Sequence, residues 1–178
     1  MCVNAIRAKG MDPKRLPMHL GLRVALNSNS LEEAVRSLDK YGVASSCFFL
    51  LGDRSSALGL EWSHLGYKSI PLADNRIHHG NHLLLDHPGI VDSQWIHDSF
   101  HRTKRIQELT DTVSEPTISS IQELFKDETN LPGAICRIQE GESTAATLFN
   151  IVMDLSAVKA DVLVGRPTQP EERLVLSF

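Results

Sequence analysis

Apolar positions follow two different periods along the chain. Spacings of three and four residues predict helices, and short apolar runs bounded by turn residues predict strands. The predicted helices cover residues 17–27, 31–41, 93–109 and 117–125. The predicted strands cover residues 3–8, 43–51, 57–62, 76–85, 134–138, 146–153, 158–165 and 173–177. Strand hairpins on either side of helices indicate an α+β fold with mostly antiparallel sheets.

Two local signals set the ends of the second predicted helix. Ser30 and Glu33 form a capping box, in which the Ser30 hydroxyl accepts from the backbone of Glu33 and the Glu33 carboxylate reaches back. Gly42 follows the last apolar position and suits the left-handed conformation that often ends a helix.

Length and composition restrict the class of protein. The 178 residues are 42% hydrophobic and 22% charged, which is typical of one globular domain, so we treat the whole chain as a single domain. The net charge of −4 gives no basic surplus that would attract nucleic acid. The longest apolar run, 47–51, is too short to cross a membrane, and no signal peptide is visible. Three widely spaced cysteines give no disulfide framework, so we expect a soluble intracellular protein, in the cytoplasm rather than elsewhere.

Histidines cluster in one short segment, at His78, His79, His82 and His87. A zinc site needs three or four converging ligands, and neither a cysteine pair nor a His-Glu-x-x-His motif accompanies these residues. The glycine at position 80 and the leucines at 83–85 favour a strand, in which neighbouring histidines point to opposite faces. We therefore predict surface or hydrogen-bonded histidines without a metal, and the sequence indicates no cofactor.

Two residues resemble nucleophiles, and each has a plainer alternative. Ser143 lies in Gly-Glu-Ser-Thr-Ala, which resembles the turn that presents a catalytic serine between a strand and a helix. A strand is predicted after it, and Ala145 replaces the usual glycine, so the alternative is a hairpin turn whose serine hydroxyl bonds to the backbone. Cys2 would carry its own base, the α-amino group, if Met1 were removed. The alternative is a small apolar residue at the start of a strand.

Charged residues dominate the middle of the third predicted helix, at positions 98–105. Asp98 and Arg102 are four residues apart and can form an ion pair along the helix. Arg102 and Arg105 lie on one side and could bind a carboxylate, so we assign Arg102 to substrate binding. A solvated helix face is the alternative.

Six short motifs follow one another in a fixed order. They are Gly-Leu-Glu-Trp-Ser at 59–63, Arg-Ile-His-His-Gly-Asn-His at 76–82, Asp-Ser-x-x-Arg-x-x-Arg at 98–105, Ile-Cys-Arg at 135–137, Ala-Thr-Leu-Phe-Asn-Ile at 146–151 and Gly-Arg-Pro-Thr-x-Pro at 165–170. With them the chain resembles, over nearly all of its length, the acyl-coenzyme A:6-aminopenicillanic-acid acyltransferases (isopenicillin N acyltransferases). This family lies within the cysteine N-terminal nucleophile hydrolases.

The resemblance implies a fold, a reaction and roles for three residues. The fold is a four-layer αββα arrangement, and the reaction is acyl transfer from a coenzyme A thioester or hydrolysis of an amide. In the family a precursor cleaves itself before an internal cysteine, whose thiol then attacks the acyl donor. Asn81 matches the asparagine of the oxyanion hole, and Asp98 matches an acidic residue of processing and site geometry. Ser143 matches a serine needed for activity.

The resemblance also implies that this chain is a C-terminal portion. The family residues that match Val3 lie downstream of the nucleophile, so we expect the nucleophilic cysteine, the propeptide and the early strands to be absent. We expect such a truncated portion to be inactive by itself and to associate with itself or with the missing part. A ligand-binding or structural remnant of the fold is one alternative, and an enzyme that uses Cys2 is another. The final residues, 176–178, do not form a peroxisomal signal.

Overall fold

The computed structural model describes residues 1–141 and 143–178. The helices are α1 (Met18–Leu26), α2 (Leu31–Tyr41), α3 (Ser99–Asp111) and α4 (Ile118–Leu124). The strands are β1 (Cys2–Ala5), β2 (Cys47–Gly52), β3 (Ala57–Ser63), β4 (Gly66–Ile70), β5 (Phe149–Asp154), β6 (Lys159–Arg166) and β7 (Gln169–Ser177). All strand pairs are antiparallel, which confirms the predicted α+β class. The chain divides into two compact units, Met1–His97 and Asp98–Phe178.

The first unit is built on a four-stranded sheet in the order β1-β2-β3-β4. Alternate residues of β2 and β3, such as Phe49 and Trp62, belong to a buried apolar cluster that includes Leu38 of α2. Phe48 and Glu61 alternate with these positions and so lie on the opposite face. They are buried as well. A sheet covered on both faces explains why β2 is a continuous apolar run instead of an alternating one.

The predicted ends of α2 are confirmed, with one change. The Ser30 hydroxyl accepts from the Glu33 backbone N–H at 3.1 Å, and the Gly42 N–H donates to the Leu38 carbonyl at 2.7 Å. Gly42 has a φ of 66°, the left-handed conformation that favours glycine. The Glu33 carboxylate accepts from the backbone N–H of Asn29 at 2.8 Å, one residue before the expected partner.

The turn between β2 and β3 is held by Asp53. One carboxylate oxygen accepts from the backbone N–H groups of Ser55 at 2.8 Å and Ser56 at 3.0 Å, and from the Ser55 hydroxyl at 2.7 Å. The other oxygen accepts from the first N–H of α2, at Leu31, at 3.3 Å. These bonds, first the one from the Ser55 hydroxyl, lower the pKa of Asp53 to about 2.

The low pKa of Asp53 predicts how acid destabilises this turn. A carboxylate whose folded pKa lies below its unfolded value of 3.8 stabilises the fold above that value, and the contribution is lost as the pH falls to about 2. We expect Asp53→Asn to lower stability at pH 6, and the deficit to disappear between pH 4 and pH 2. Urea unfolding at several pH values measures this, and a deficit that is constant with pH would contradict it.

Two predicted strands are wrong. Residues 76–85 form neither a strand nor a helix, because the backbone N–H groups of Leu84 and Leu85 donate to the Glu61 side chain instead of to a neighbouring strand. Residues 134–138 are irregular as well, and the Arg137 N–H donates to the Thr147 hydroxyl at 2.9 Å. The edge strand β4 was not predicted, because its sequence, Gly-Tyr-Lys-Ser-Ile, is half polar and partly exposed. Helix α3 begins at Ser99, six residues after the predicted start at Ser93.

The second unit contains a three-stranded sheet in the order β5-β6-β7, together with α3 and α4. Asp161 of β6 is buried and accepts from Gln122 of α4 at 2.8 Å and from Arg173 of β7 at 2.6 Å. These bonds, the one from Arg173 first, hold the pKa of Asp161 below its usual value. Among the described residues, no helix combines the length and hydropathy required to span a bilayer.

Candidate functional site

Asn81 lies on the irregular segment that follows β4. Its side-chain Nδ2 donates to the carbonyl oxygen of Ala5, the last residue of β1, at 3.1 Å. The residue is half-buried. This bond links the Asn81 amide to the end of β1 and fixes the direction of its nitrogen.

Glu61 is fully buried on β3 and holds the same segment. Its Oε1 accepts from His79 Nε2 at 2.8 Å and from the Leu84 N–H at 2.6 Å. Its Oε2 accepts from the Leu85 N–H at 3.0 Å and from His87 Nε2 at 3.1 Å. Burial raises the pKa of Glu61, but the hydrogen bonds from His79, Leu84 and Leu85 outweigh it and hold the pKa below its usual value. Glu61 therefore acts as a charged acceptor for four donors.

His79 is fixed on both edges and on one face of its ring. The ring stacks on Phe48 with centroids 3.7 Å apart and an angle of 1° between the planes. Its Nδ1 faces the Gly80 carbonyl at 2.7 Å, and its Nε2 faces Glu61. Each ring nitrogen therefore lies beside an oxygen, Nδ1 beside the Gly80 carbonyl and Nε2 beside the Glu61 carboxylate. The predicted hydrogen-bonded histidines are confirmed for His79 and His87.

The histidine segment does not gather metal ligands. Within residues 1–141 and 143–178, no group of three or more His, Cys, Asp or Glu side chains is arranged to hold a metal ion. The nitrogens of His79 and His87 that point inward are taken by Glu61.

Asp98 of the second unit lies between two arginines. Its Oδ1 accepts from Arg102 Nε at 2.8 Å, which confirms the predicted pair along α3. Arg137 binds the same carboxylate through Nη1 at 3.2 Å and Nη2 at 2.7 Å. Burial lowers the pKa of Arg137. Gly133 lies so close that an added Cβ would come within 2.7 Å of Asp98 Cβ. Guanidinium groups engage both oxygens of Asp98, and the family role of Asp98 in processing and site geometry stays a prediction.

The Asp98 cluster is expected to contribute measurably to stability. Asp98→Ala leaves two partly buried guanidinium groups, Arg102 and Arg137, without their shared carboxylate. We expect a loss of about 2 kcal/mol in the free energy of unfolding, measured by urea titration. Glu32→Ala is the control, because its pair with Arg36 has the same i,i+4 spacing but exposed side chains, at 80% and 69%. That control is expected to cost less than about 0.5 kcal/mol, and equal losses for the two variants would contradict the account.

Arg102 also lines a cavity of about 210 Å³ along α3. Lys104, Arg105 and Glu108 of the same helix line it too, with residues of the 129–135 segment. Arg105 is bound to Asp127 through Nε at 3.0 Å and Nη2 at 2.7 Å. The two arginines thus lie on one side, as predicted, and the assignment of Arg102 to substrate binding stays a prediction.

Ser143 lies in a turn bonded to the backbone. Its hydroxyl donates to the Ala145 carbonyl at 3.3 Å, and its N–H donates to the Glu140 carbonyl at 3.0 Å. Residues 143–148 are irregular, and strand β5 follows at Phe149, so a strand–turn–helix elbow is not formed there. The alternative of a hydroxyl bonded to the backbone is confirmed. Glu142 of the same motif lies outside the described residues, and the family role of Ser143 stays a prediction.

The three cysteines differ in access. Cys47 lies in β2 with none of its surface exposed, and this burial raises the pKa of its thiol to about 12. Cys136 is equally buried, with Sγ 3.7 Å from the Thr168 hydroxyl oxygen. Cys2 is exposed at the start of β1, opposite Leu50. Because a thiol reacts as its thiolate, burial leaves Cys47 inert, and the lack of access does the same for Cys136.

Sequence reasoning singled out Asn81 but missed Glu61. The available signal was a carboxylate in the middle of an apolar run, Leu60-Glu61-Trp62, because a buried charge requires partners. The sequence analysis also predicted the pair of Asp98 with Arg102 but not the second partner of Asp98, Arg137, which is 39 residues away. Asn81 belongs to the first unit, whereas Asp98, Arg102 and Ser143 belong to the second.

Similarity to known proteins identifies the family of this chain. The sequence model described as acyl-coenzyme A:6-aminopenicillanic acid acyl-transferase matches residues 1–169. The chain belongs to this family. The resemblance carried by the six motifs is thereby confirmed, and all the candidate site residues of this acyltransferase family member lie within the matched range.

A curated relative agrees with the family. It is the acyl-coenzyme A:6-aminopenicillanic-acid-acyltransferase 40 kDa form of Emericella nidulans, which is 39% identical over 179 residues. The match covers 98% of this chain and 50% of the relative. The chain therefore spans about half the length of the curated relative that it matches.

Proposed function

We propose that this chain forms part of an acyltransferase that moves an acyl group from a coenzyme A thioester to an amino group. The amino group is of the kind carried by 6-aminopenicillanic acid. Membership of the family is the observation that supports this proposal most strongly, because the family name contains both substrates, acyl-coenzyme A and 6-aminopenicillanic acid. The proposal includes the four-layer αββα arrangement and a cysteine nucleophile of the N-terminal type.

Asn81 is the proposed oxyanion donor. When a thiol attacks the thioester carbonyl, the carbonyl oxygen gains negative charge, and an N–H group fixed in advance stabilises it. The collapse of this intermediate expels the thiol of coenzyme A and leaves the acyl group on the nucleophile. The same donor serves when the amine attacks in turn and the nucleophile leaves. The bond from Nδ2 to Ala5 and the anchoring of the segment by Glu61 support a fixed donor.

The proposed nucleophile is a cysteine outside these 178 residues. Cys47 and Cys136 are buried and unreactive. Cys2 precedes Ala5, where the Asn81 amide is bound, by three residues of strand, which is about 10 Å. A nucleophile and an oxyanion donor must both lie about 3 Å from one reacting group. The distance along β1 therefore weighs against the alternative that Cys2 attacks after the removal of Met1.

The test compares the chain with a chimera. In the chimera, this chain replaces the segment that it matches in the Emericella nidulans relative. Each protein is incubated with an acyl-coenzyme A and 6-aminopenicillanic acid, and the N-acyl product is measured by mass spectrometry. We expect product from the chimera and none from the 178-residue chain. A folded chimera that gives no N-acyl product, or only the free acid, would contradict the proposal.

The same experiment examines the Cys2 alternative. The intact mass of the chain shows whether Met1 is retained. Product that is formed by the chain alone and abolished by Cys2→Ala would overturn the assignment of the nucleophile while supporting the reaction. Cys136→Ala is the control, because that thiol is buried.

A further inference from the structure

We infer that Glu61 is the positioning residue for Asn81, an inference that rests on the proposed role of Asn81 in acyl transfer. Glu61 lies on β3, and its four donors lie at positions 79, 84, 85 and 87, on both sides of Asn81. The carboxylate therefore binds a side chain two residues before the proposed donor, and it binds the backbone three and four residues after that donor.

The segment depends on such bonds because it forms no ladder of its own. Residues 71–98 contain neither a helix nor a strand. Besides the Glu61 contacts, the Leu83 N–H donates to Asp92 at 2.8 Å, and an isolated bridge joins Ala8 to Asp92. Regular elements hold their backbone through repeated hydrogen bonds, whereas an irregular segment keeps one conformation only through individual partners. Glu61 supplies more of these partners than Asp92 does.

The pattern of bonds requires a carboxylate at this position. Each oxygen of Glu61 accepts from one backbone N–H and one histidine, Leu84 with His79 on Oε1 and Leu85 with His87 on Oε2. A histidine can change its tautomer to meet a different partner, but a backbone N–H can only donate. In Glu61→Gln, either orientation of the amide directs its NH₂ group at one of the two backbone N–H groups.

The packing of the sheet does not require a charged side chain at position 61. Glu61 lies on a buried face beside Phe48, where an apolar side chain would avoid the cost of burying an ion. A buried ion of this kind frequently stabilises less than an apolar replacement would. The burial of the Glu61 carboxylate is explained if its role is to hold the segment that carries Asn81.

The test follows Asn81 directly in the 178-residue chain. In ¹⁵N-labelled protein, the side-chain NH₂ signal of Asn81 is identified by its absence from Asn81→Asp. We expect Glu61→Gln to shift this signal and to speed hydrogen exchange at the Leu84 and Leu85 amides by about 10- to 100-fold. Exchange in the paired amides of β2 and β3 should change much less. Asp161→Asn, a second buried carboxylate that lies in the other unit, should leave all these signals unchanged.

Two results would overturn the inference. One is an Asn81 signal in Glu61→Gln that is unshifted from the parent chain. The other is an equal increase of exchange throughout β2, β3 and residues 79–87, which is the result of a merely structural role. If Glu61→Gln does not fold, His79→Phe replaces it, because the ring can still stack on Phe48 while both ring nitrogens, and with them the contact to Glu61, are lost. This measurement needs no turnover, so it can fail while the acyl-transfer assay succeeds, and the reverse is also true.

Discussion

Replacing Asn81 by alanine is expected to lower kcat for acyl transfer by about 100- to 1,000-fold in the chimera. The amide donor acts on charge that develops only in the transition state, so substrate binding, and with it KM, should change little. The rate of N-acyl product formation, measured with saturating acyl-coenzyme A, gives this number.

The control for this prediction is Asn29→Ala. Asn29 is also an asparagine of the first unit whose Nδ2 donates to a partner, in this case Glu33 at 3.1 Å. It lies at the start of α2, so its loss should leave kcat within about twofold of the parent, since surface changes of this kind are small. A kcat for Asn81→Ala within tenfold of the parent would contradict the assignment.

The second large effect is on stability. Glu61→Gln is expected to lower the free energy of unfolding by about 3 kcal/mol at pH 7, because it breaks a buried, charged network without removing its donors. Trp62 lies in the core directly beside Glu61 in sequence, so urea unfolding followed by tryptophan fluorescence reports the change. Glu32→Gln, at an exposed site, is expected to cost less than about 0.5 kcal/mol.

The loss in Glu61→Gln should depend on pH in a defined direction. The folded pKa of Glu61 lies below its unfolded value of 4.5, so the charged form stabilises the fold above pH 4.5. This contribution is lost as the pH falls through the folded pKa, where the parent also becomes neutral. The difference between the parent and Glu61→Gln should therefore narrow below pH 4.5. A difference that widens in acid would contradict the charged state of Glu61.

Most elements with local signals could be predicted from the sequence. Helix α2 could be predicted because Ser30, Glu33 and Gly42 lie next to the helix ends that they determine. Strands β2 and β3 could be predicted because a turn held by Asp53 separates two apolar runs. In each case the residues that determine the element lie within a few positions of it.

The remaining features depend on partners far along the chain. Residues 76–85 read as a strand because apolar leucines follow Gly80, yet their backbone bonds go to Glu61, up to 24 residues away. The irregular segment 134–138 is likewise held by contacts outside its own sequence, such as that of Arg137 with Asp98. No local pattern contains this information.

The candidate site divides in the same way. The resemblance to the family provided Asn81, Asp98 and Ser143, because motifs preserve the identity and order of residues. The resemblance did not show that Glu61 holds the segment of Asn81 or that Arg137 binds Asp98. A carboxylate in a strand and an arginine in a loop can each have many different partners. Packing and hydrogen bonds distinguish among those partners, and only the structure supplies them.

We propose above all that Asn81 works as the oxyanion donor from a segment that Glu61 positions. A double-mutant cycle in the chimera tests it most directly, with kcat measured for Glu61→Gln, Asn81→Ala and the two combined, all at a temperature where each variant is folded. We expect Glu61→Gln to lower kcat in the parent and to lower it no further once Asn81 is alanine. Effects that multiply independently would show that Glu61 does not act through Asn81.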